Sequence, residues 1–121
     1  QVAVIIKPLP YRGETSMTSA RYAISIWQQQ PEKFAVFHET LMSKKGDHTD
    51  ATLQAALKKN GLVLKEMTPE SQQTMQLNLS LAQQMMVQGT PATLIGQQMV
   101  VGAVPYEQLE AAVKTALAEG T

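Results

Sequence analysis

The sequence predicts an α/β domain: a strand, four helices, a β-hairpin and a final helix, in that order. Three observations carry this. A β-branched apolar run, Val2 to Lys7, opens the chain. Apolar residues then recur at helical spacing as far as Gly89, giving the one-sided stripes of amphipathic helices. After Gly89 the period becomes extended, with "ATLIG" and "QMVVG" joined through Gly96-Gln97, a hairpin signal.

Composition sets the outer bounds. The 121 residues suit one domain, and 44% hydrophobic content is enough for a core. Ten basic residues cancel ten acidic ones, which argues against a nucleic-acid ligand that needs a basic face. No apolar run approaches the roughly 20 residues of a membrane span. Cysteine is absent. That excludes a disulfide, a thiol nucleophile and a Cys-ligated zinc site, and says nothing about compartment.

Val2 to Lys7, closed by Pro8 and Pro10, has two apolar faces and reads as a buried strand parallel to a neighbour. The run is too short for a secretory h-region and no basic n-region precedes it. A chain opening directly on a strand is expected to be a processed or partial one. "PYRGETS" reads as a loop, with Thr15 or Ser16 capping a helix from Met17. Met17, Ala20, Ile24 and Trp27 form its inner face, and Pro31 ends it at Gln30. Pro31 and Glu32 open a second helix. Its stripe is Phe34, Phe37 and Leu41, with His38 beside them, and Gly46 closes it.

Thr49 or Asp50 caps a third helix, which turns Leu53, Ala56 and Leu57 inward and ends at Asn60-Gly61. "LVLKEMTP" reads as a connection that tucks Leu62 and Leu64 under the helices. Thr68, Pro69 and Glu70 start a fourth helix with Met75, Leu79, Ala82 and Met86 on one stripe. After the hairpin, Pro105 begins the last helix, with Leu109, Ala112, Val113, Ala116 and Leu117 inward.

The chemistry-bearing residues are few. His38 and His48 are the only histidines, with Glu39 and Asp47 nearby in sequence. Sequence neighbours on a helix point to different faces, so one partly buried and one solvated histidine are expected, with no metal site. No Ser-His-Asp pattern or Gly-rich phosphate loop is present. Met85 and Met86, with Met75 and Met99, suit either core packing or a soft binding groove. Met86 is expected inward and Met85 nearer the surface. Trp27 is assigned to the core, Tyr11 and Arg12 to a solvated loop, and Tyr106 to a staple or strand-end cover. Lys44-Lys45 and Lys58-Lys59 suit the negative ends of helices.

Three stretches carry a resemblance to a known family. "VAVIIKPLPYRGETSMTSARYAI", "FAVFHETLMSKKG" and above all "GTPATLIGQQMVVGAVPYEQLEAAV" resemble the later portion of the DsbA-like thiol-disulfide oxidoreductases of bacterial cell envelopes. The resemblance covers nearly the whole chain. It implies a thioredoxin-like fold of the DsbA subtype over residues 1–121. Residues 1–15 would supply a core strand and loop, 16–88 a helical insertion, and 89–121 the proline loop, hairpin and final helix. It further implies a cis Thr90-Pro91 bond, although on composition alone only about 5–6% of X-Pro bonds in folded proteins are cis. In the family, Gly89, Thr90 and Pro91 would form the loop that docks an extended or unfolded protein substrate by strand addition.

The chain departs from the family in one decisive respect. The first core strand and the helix bearing Cys-x-x-Cys have no counterpart in it. Exchange needs a thiolate, so the resemblance implies a redox-inactive chain with no catalytic residue, cofactor or metal of its own. The missing strand would separate the strand at Val2 to Lys7 from the one at Ala92. The two apolar edges could close on each other, accept a second copy, or pair with an N-terminal partner segment. Homodimerisation through the strand region is the expected outcome. The location implied is periplasmic or another envelope compartment, with no membrane span and no nucleic acid. A non-catalytic peptide-binding or scaffolding module is the alternative. A cofactor-free enzyme akin to the glutathione-dependent isomerases ranks last.

Overall fold

The computed structural model of the chain describes residues 2–64 and 67–119. It divides into two compact units, residues 1–82 and 83–121.

In the first unit four helices are built largely as their sequences dictate. Helix α1 spans Glu14–Gln29. It begins three residues earlier than expected, because Gly13 adopts φ 91 and turns the chain into the helix. A residue bearing a Cβ avoids that geometry. Ser16 is therefore within the first turn, and its hydroxyl accepts the Arg12 N–H at 3.2 Å. Pro31 ends α1 and starts a short 3-10 turn, Pro31–Lys33, which leads into α2, Phe34–Met42. Helix α3 spans Asp50–Lys59. Thr49 and Thr52 close a reciprocal cap at its start, each side chain accepting the other's backbone N–H. Lys58 and Lys59 fill its last turn. Helix α4 spans Pro69–Gln84.

The core of this unit is one cluster of Ile26, Phe34, Phe37, Leu41, Leu53 and Leu57 with their neighbours. Leu62 is buried in it and Leu64 packs against it, as the connection after α3 predicts. Lys65 and Glu66 of that connection lie outside the described residues. A smaller cluster joins Ala20 and Ile24 to Met75 of α4. Polar bonds also tie α1 to the start of α4. Ser25 Oγ accepts the Thr68 N–H at 3.2 Å, and Arg21 Nε donates to Ser71 Oγ at 3.2 Å. Ser25 and Ser71 are fully buried and fully partnered, as buried hydroxyls must be.

The sequence expectations also fail in this unit for the leading arm and for Trp27. Val2 to Lys7 is not a strand and is not buried: Val4 is 80% and Ile5 81% exposed. The β preference of Val and Ile is a preference for packing on a pleated neighbour, and among the described residues no ladder reaches this arm. The arm is fixed only at its far end, where Asn78 Nδ2 donates to the Pro8 carbonyl at 2.9 Å and Pro10 is buried. Trp27 is 57% exposed rather than core. Ala23 and Ile26 take the inner positions of α1 instead. The Trp27 ring meets Phe34 edge-on, with centroids 5.7 Å apart.

The second unit holds a two-stranded antiparallel hairpin, β1 (Ala92–Ile95) and β2 (Gln98–Val101), followed by α5 (Tyr106–Glu119). The register pairs Ala92 with Val101 and Ile95 with Gln98. Gly96 takes φ 60 at the first of the two loop positions, the placement that suits a hairpin twisting correctly with glycine leading. Val100 and Ala112 of α5 are buried. Leu117 and Tyr106, expected to cover apolar surface, are exposed. The Tyr106 hydroxyl donates to Glu110 at 3.4 Å, along its own helix.

Candidate functional site

The loop between α4 and β1 carries the three residues singled out by sequence. Gly89 is half-buried, while Thr90 and Pro91 are exposed. The Thr90-Pro91 peptide is cis. The Pro91 carbonyl accepts the Gly102 N–H at 2.9 Å, and the ladder begins one residue later with Ala92 opposite Val101. Proline opens the strand at a place where its missing N–H removes no ladder bond. Among the described residues, no backbone hydrogen bond reaches the N–H or C=O of Thr90. One donor and one acceptor thus stand open at the head of a strand, which is what an added peptide strand requires.

Sequence reasoning missed two participants here, Gly102 and Val101. The hairpin register would have found them, since a two-residue loop at Gly96-Gln97 fixes Val101 opposite Ala92. The methionine assignment is reversed. Met86 is 79% exposed and Met85 38%. Helix α4 ends at Gln84, and Met86 bonds its N–H to the Gln83 carbonyl at 3.1 Å with φ 59. The helical period that placed Met86 inward has already stopped there. The uncharged character of this region is also complete: no Asp, Glu, Lys or Arg occurs between Glu70 and Glu107.

The histidines form a separate feature within the first unit. His38 stacks on Phe34, with ring centroids 5.6 Å apart and planes 14° from parallel. Burial holds its pKa below the ordinary 6.5, favouring the neutral ring. His48 is half-buried rather than solvated. Its Nε2 lies 2.9 Å from the Leu41 carbonyl and its Nδ1 3.0 Å from Thr52 Oγ1. The Leu41 carbonyl can only accept, so Nε2 donates. These bonds tie the end of α2 to the start of α3. Both histidines line a cavity of about 220 Å³ with Pro8, Leu9, Ser16 and Met42. Among the described residues no group of three His, Cys, Asp or Glu side chains is placed to hold a metal ion. No helix among them is long and apolar enough to cross a membrane.

Comparison with known proteins converges on one family. Residues 4–114 match the DSBA-like thioredoxin domain. A periplasmic thioredoxin-like protein from Salmonella enterica serovar Typhimurium is 46% identical and superposes with a TM-score of 0.90, over 96% of this chain and 67% of that one. Proteus mirabilis ScsC in a compact conformation is 42% identical with a TM-score of 0.91, over 97% of this chain and 66% of that one. The thiol-disulfide exchange protein alpha-DsbA2 from Wolbachia pipientis is 25% identical with a TM-score of 0.85, over 92% and 63%. The chain thus spans about two thirds of the length of these structures. The fold is that of the DsbA-like thioredoxin domains, rich in helix with a small two-stranded sheet. No curated protein sequence matches this chain.

Proposed function

Since this chain belongs to the DSBA-like thioredoxin domain family, we propose that it is the substrate-docking portion of an envelope thiol-disulfide oxidoreductase. Thr90 receives the substrate backbone, Gly89 and Pro91 shape the loop, and the substrate is an extended or unfolded protein segment. The observation that carries this is the open N–H and C=O of Thr90 at the head of β1. A periplasmic or envelope location accords with the similar Salmonella protein, which is described as periplasmic.

Disulfide exchange begins with attack of a thiolate on a disulfide sulfur, and a second thiolate leaves. The chain has no cysteine, so the attacking, attacked and leaving sulfurs of any such step all belong to another polypeptide segment or to the substrate. The chain alone is redox-inactive. Reduction of insulin disulfides by dithiothreitol should proceed at the same rate with and without it. An accelerated rate would overturn this statement.

A second reading is a non-catalytic peptide-binding or scaffolding module, and the same open edge on a cysteine-free chain favours it. It differs in assembly. The exposed arm at Val2 to Ile6 and the hairpin edges, which carry no further strand among the described residues, support self-association through the strand region, because an unpaired strand edge is a template for pairing. Light scattering should give a dimer mass. A strictly monomeric, folded chain would remove the dimer from the proposal.

A further inference from the structure

We infer that Asn60 is a site of spontaneous covalent modification, the loss of its side-chain amide to water through attack by the Gly61 nitrogen, and that the folded chain holds this reaction shut until the end of α3 opens. The cap of α3 contains a conflict. Gly61 has φ 65. Its N–H donates to the Lys58 carbonyl at 3.1 Å, and the Leu62 N–H donates to the Leu57 carbonyl at 2.8 Å. These are the paired bonds that close a helix on a left-handed residue, and glycine is the residue that adopts this conformation freely. Glycine is also the residue whose backbone nitrogen is least hindered in attacking the side chain before it. The stability of the cap and the lability of the Asn60 amide thus come from the same two residues.

In the reaction the Gly61 nitrogen bonds to Asn60 Cγ and gives up its hydrogen. The Cγ–Nδ2 bond breaks and ammonia leaves with that hydrogen. Water then opens the cyclic imide at either carbonyl, leaving an aspartate or a backbone rerouted through the side chain. Water is the sole co-reactant.

The fold occupies the groups this needs. The hydrogen of the attacking nitrogen lies in the bond to Lys58. Both hydrogens of the leaving amide are held as well: Asn60 Nδ2 donates to the Ala56 carbonyl at 2.9 Å and to Thr40 Oγ1 at 3.0 Å. The Thr40 hydroxyl gives its own hydrogen to the Val36 carbonyl at 2.9 Å, so toward Asn60 it accepts. These bonds draw the amide back to the preceding turn of α3 and join that helix to α2. An aspartate at this position has no hydrogen to offer. Its carboxylate would face the Ala56 carbonyl, at a helix end that disfavours negative charge. A chain that opens here long enough to react cannot close again with the same bonds. The other asparagine, Asn78, is followed by Leu79 inside α4, which makes it an internal control.

The test incubates the whole chain in mildly alkaline buffer, with and without urea, and follows both asparagines by peptide mass. The unfolded chain should convert Asn60 and spare Asn78. The folded chain should convert Asn60 at least about tenfold more slowly. Thr40→Val removes the hydroxyl that holds the amide, whereas Ile26→Val takes a methyl from the core cluster and none of these bonds. Compared at urea concentrations where the two variants are equally stable, Thr40→Val should convert several-fold faster. Asn60→Asp should melt about 4–8 °C below the parent. Equal rates in the folded and unfolded chains, or in the two variants, would refute the gate. An unfolded chain that keeps Asn60 intact would refute the site. An Asn60→Asp chain that melts with the parent would refute the claim that conversion unlocks α3 from α2.

Discussion

The two units spend similar residues in opposite ways. In residues 2–82, Phe37, Ile26, Leu53 and Met75 are withdrawn from water. In residues 83–119, Met86, Leu94, Val101 and Leu117 remain largely in it. The difference lies in how many surfaces each unit offers. Four helices and a connection can enclose a cluster on all sides. One hairpin and one helix make two layers, and the second layer covers only one hairpin face. Val100 is on the covered side, while its neighbour Val101 points the other way, as the pleat demands. Apolar character therefore means packing in the helical cluster of the first unit and availability on the open hairpin face of the second.

The comparison breaks most visibly at the helical core. Phe37→Ala should cost about 3–5 kcal/mol of stability in urea unfolding, because the ring it removes is fully enclosed. Leu94→Ala, on the open face of the hairpin, should stay within about 0.5 kcal/mol. Equal losses would mean that the two units are not distinct in packing. Gly96→Ala comes next. Its φ of 60 is strained for alanine, and the new Cβ would sit 3.1 Å from the Ala116 Cβ of α5. A loss of about 1–3 kcal/mol is expected, and an unchanged melting temperature would show that the hairpin and α5 yield easily.

The smallest effect is the proton linkage of His38. Its folded pKa is lowered by burial from 6.5. Just below 6.5 the unfolded chain therefore holds more protons than the folded one. Stability is complete above that value and declines as pH falls through it toward the lowered folded value. His38→Gln should flatten this acid-side decline in melting temperature between neutral pH and about pH 5. An unaltered slope would place the acid sensitivity elsewhere.

Much of this architecture was legible because the signals are local. The Thr49 cap, the Asn60-Gly61 stop, the Pro31 break and the Gly96-Gln97 turn each act within a few residues. The misreadings came where partners decide. Val2 to Lys7 has strand chemistry, yet a strand needs a neighbour that no local pattern supplies. Trp27 satisfies the α1 period, but the face that meets α2 is set by Ala23 and Ile26. Met86 continues the α4 stripe in sequence, but the helix ends two residues before it, at Gln84. At the candidate site, Gly89, Thr90 and Pro91 could be named from the family resemblance. Val101 and Gly102 needed the register.

The amide of Asn78 gripping the Pro8 carbonyl gives the leading arm a fixed pivot. Val2 to Lys7 lead away from that anchor with their side chains in water. One carboxamide on the fourth helix thereby decides where the exposed arm is fastened to the helical core.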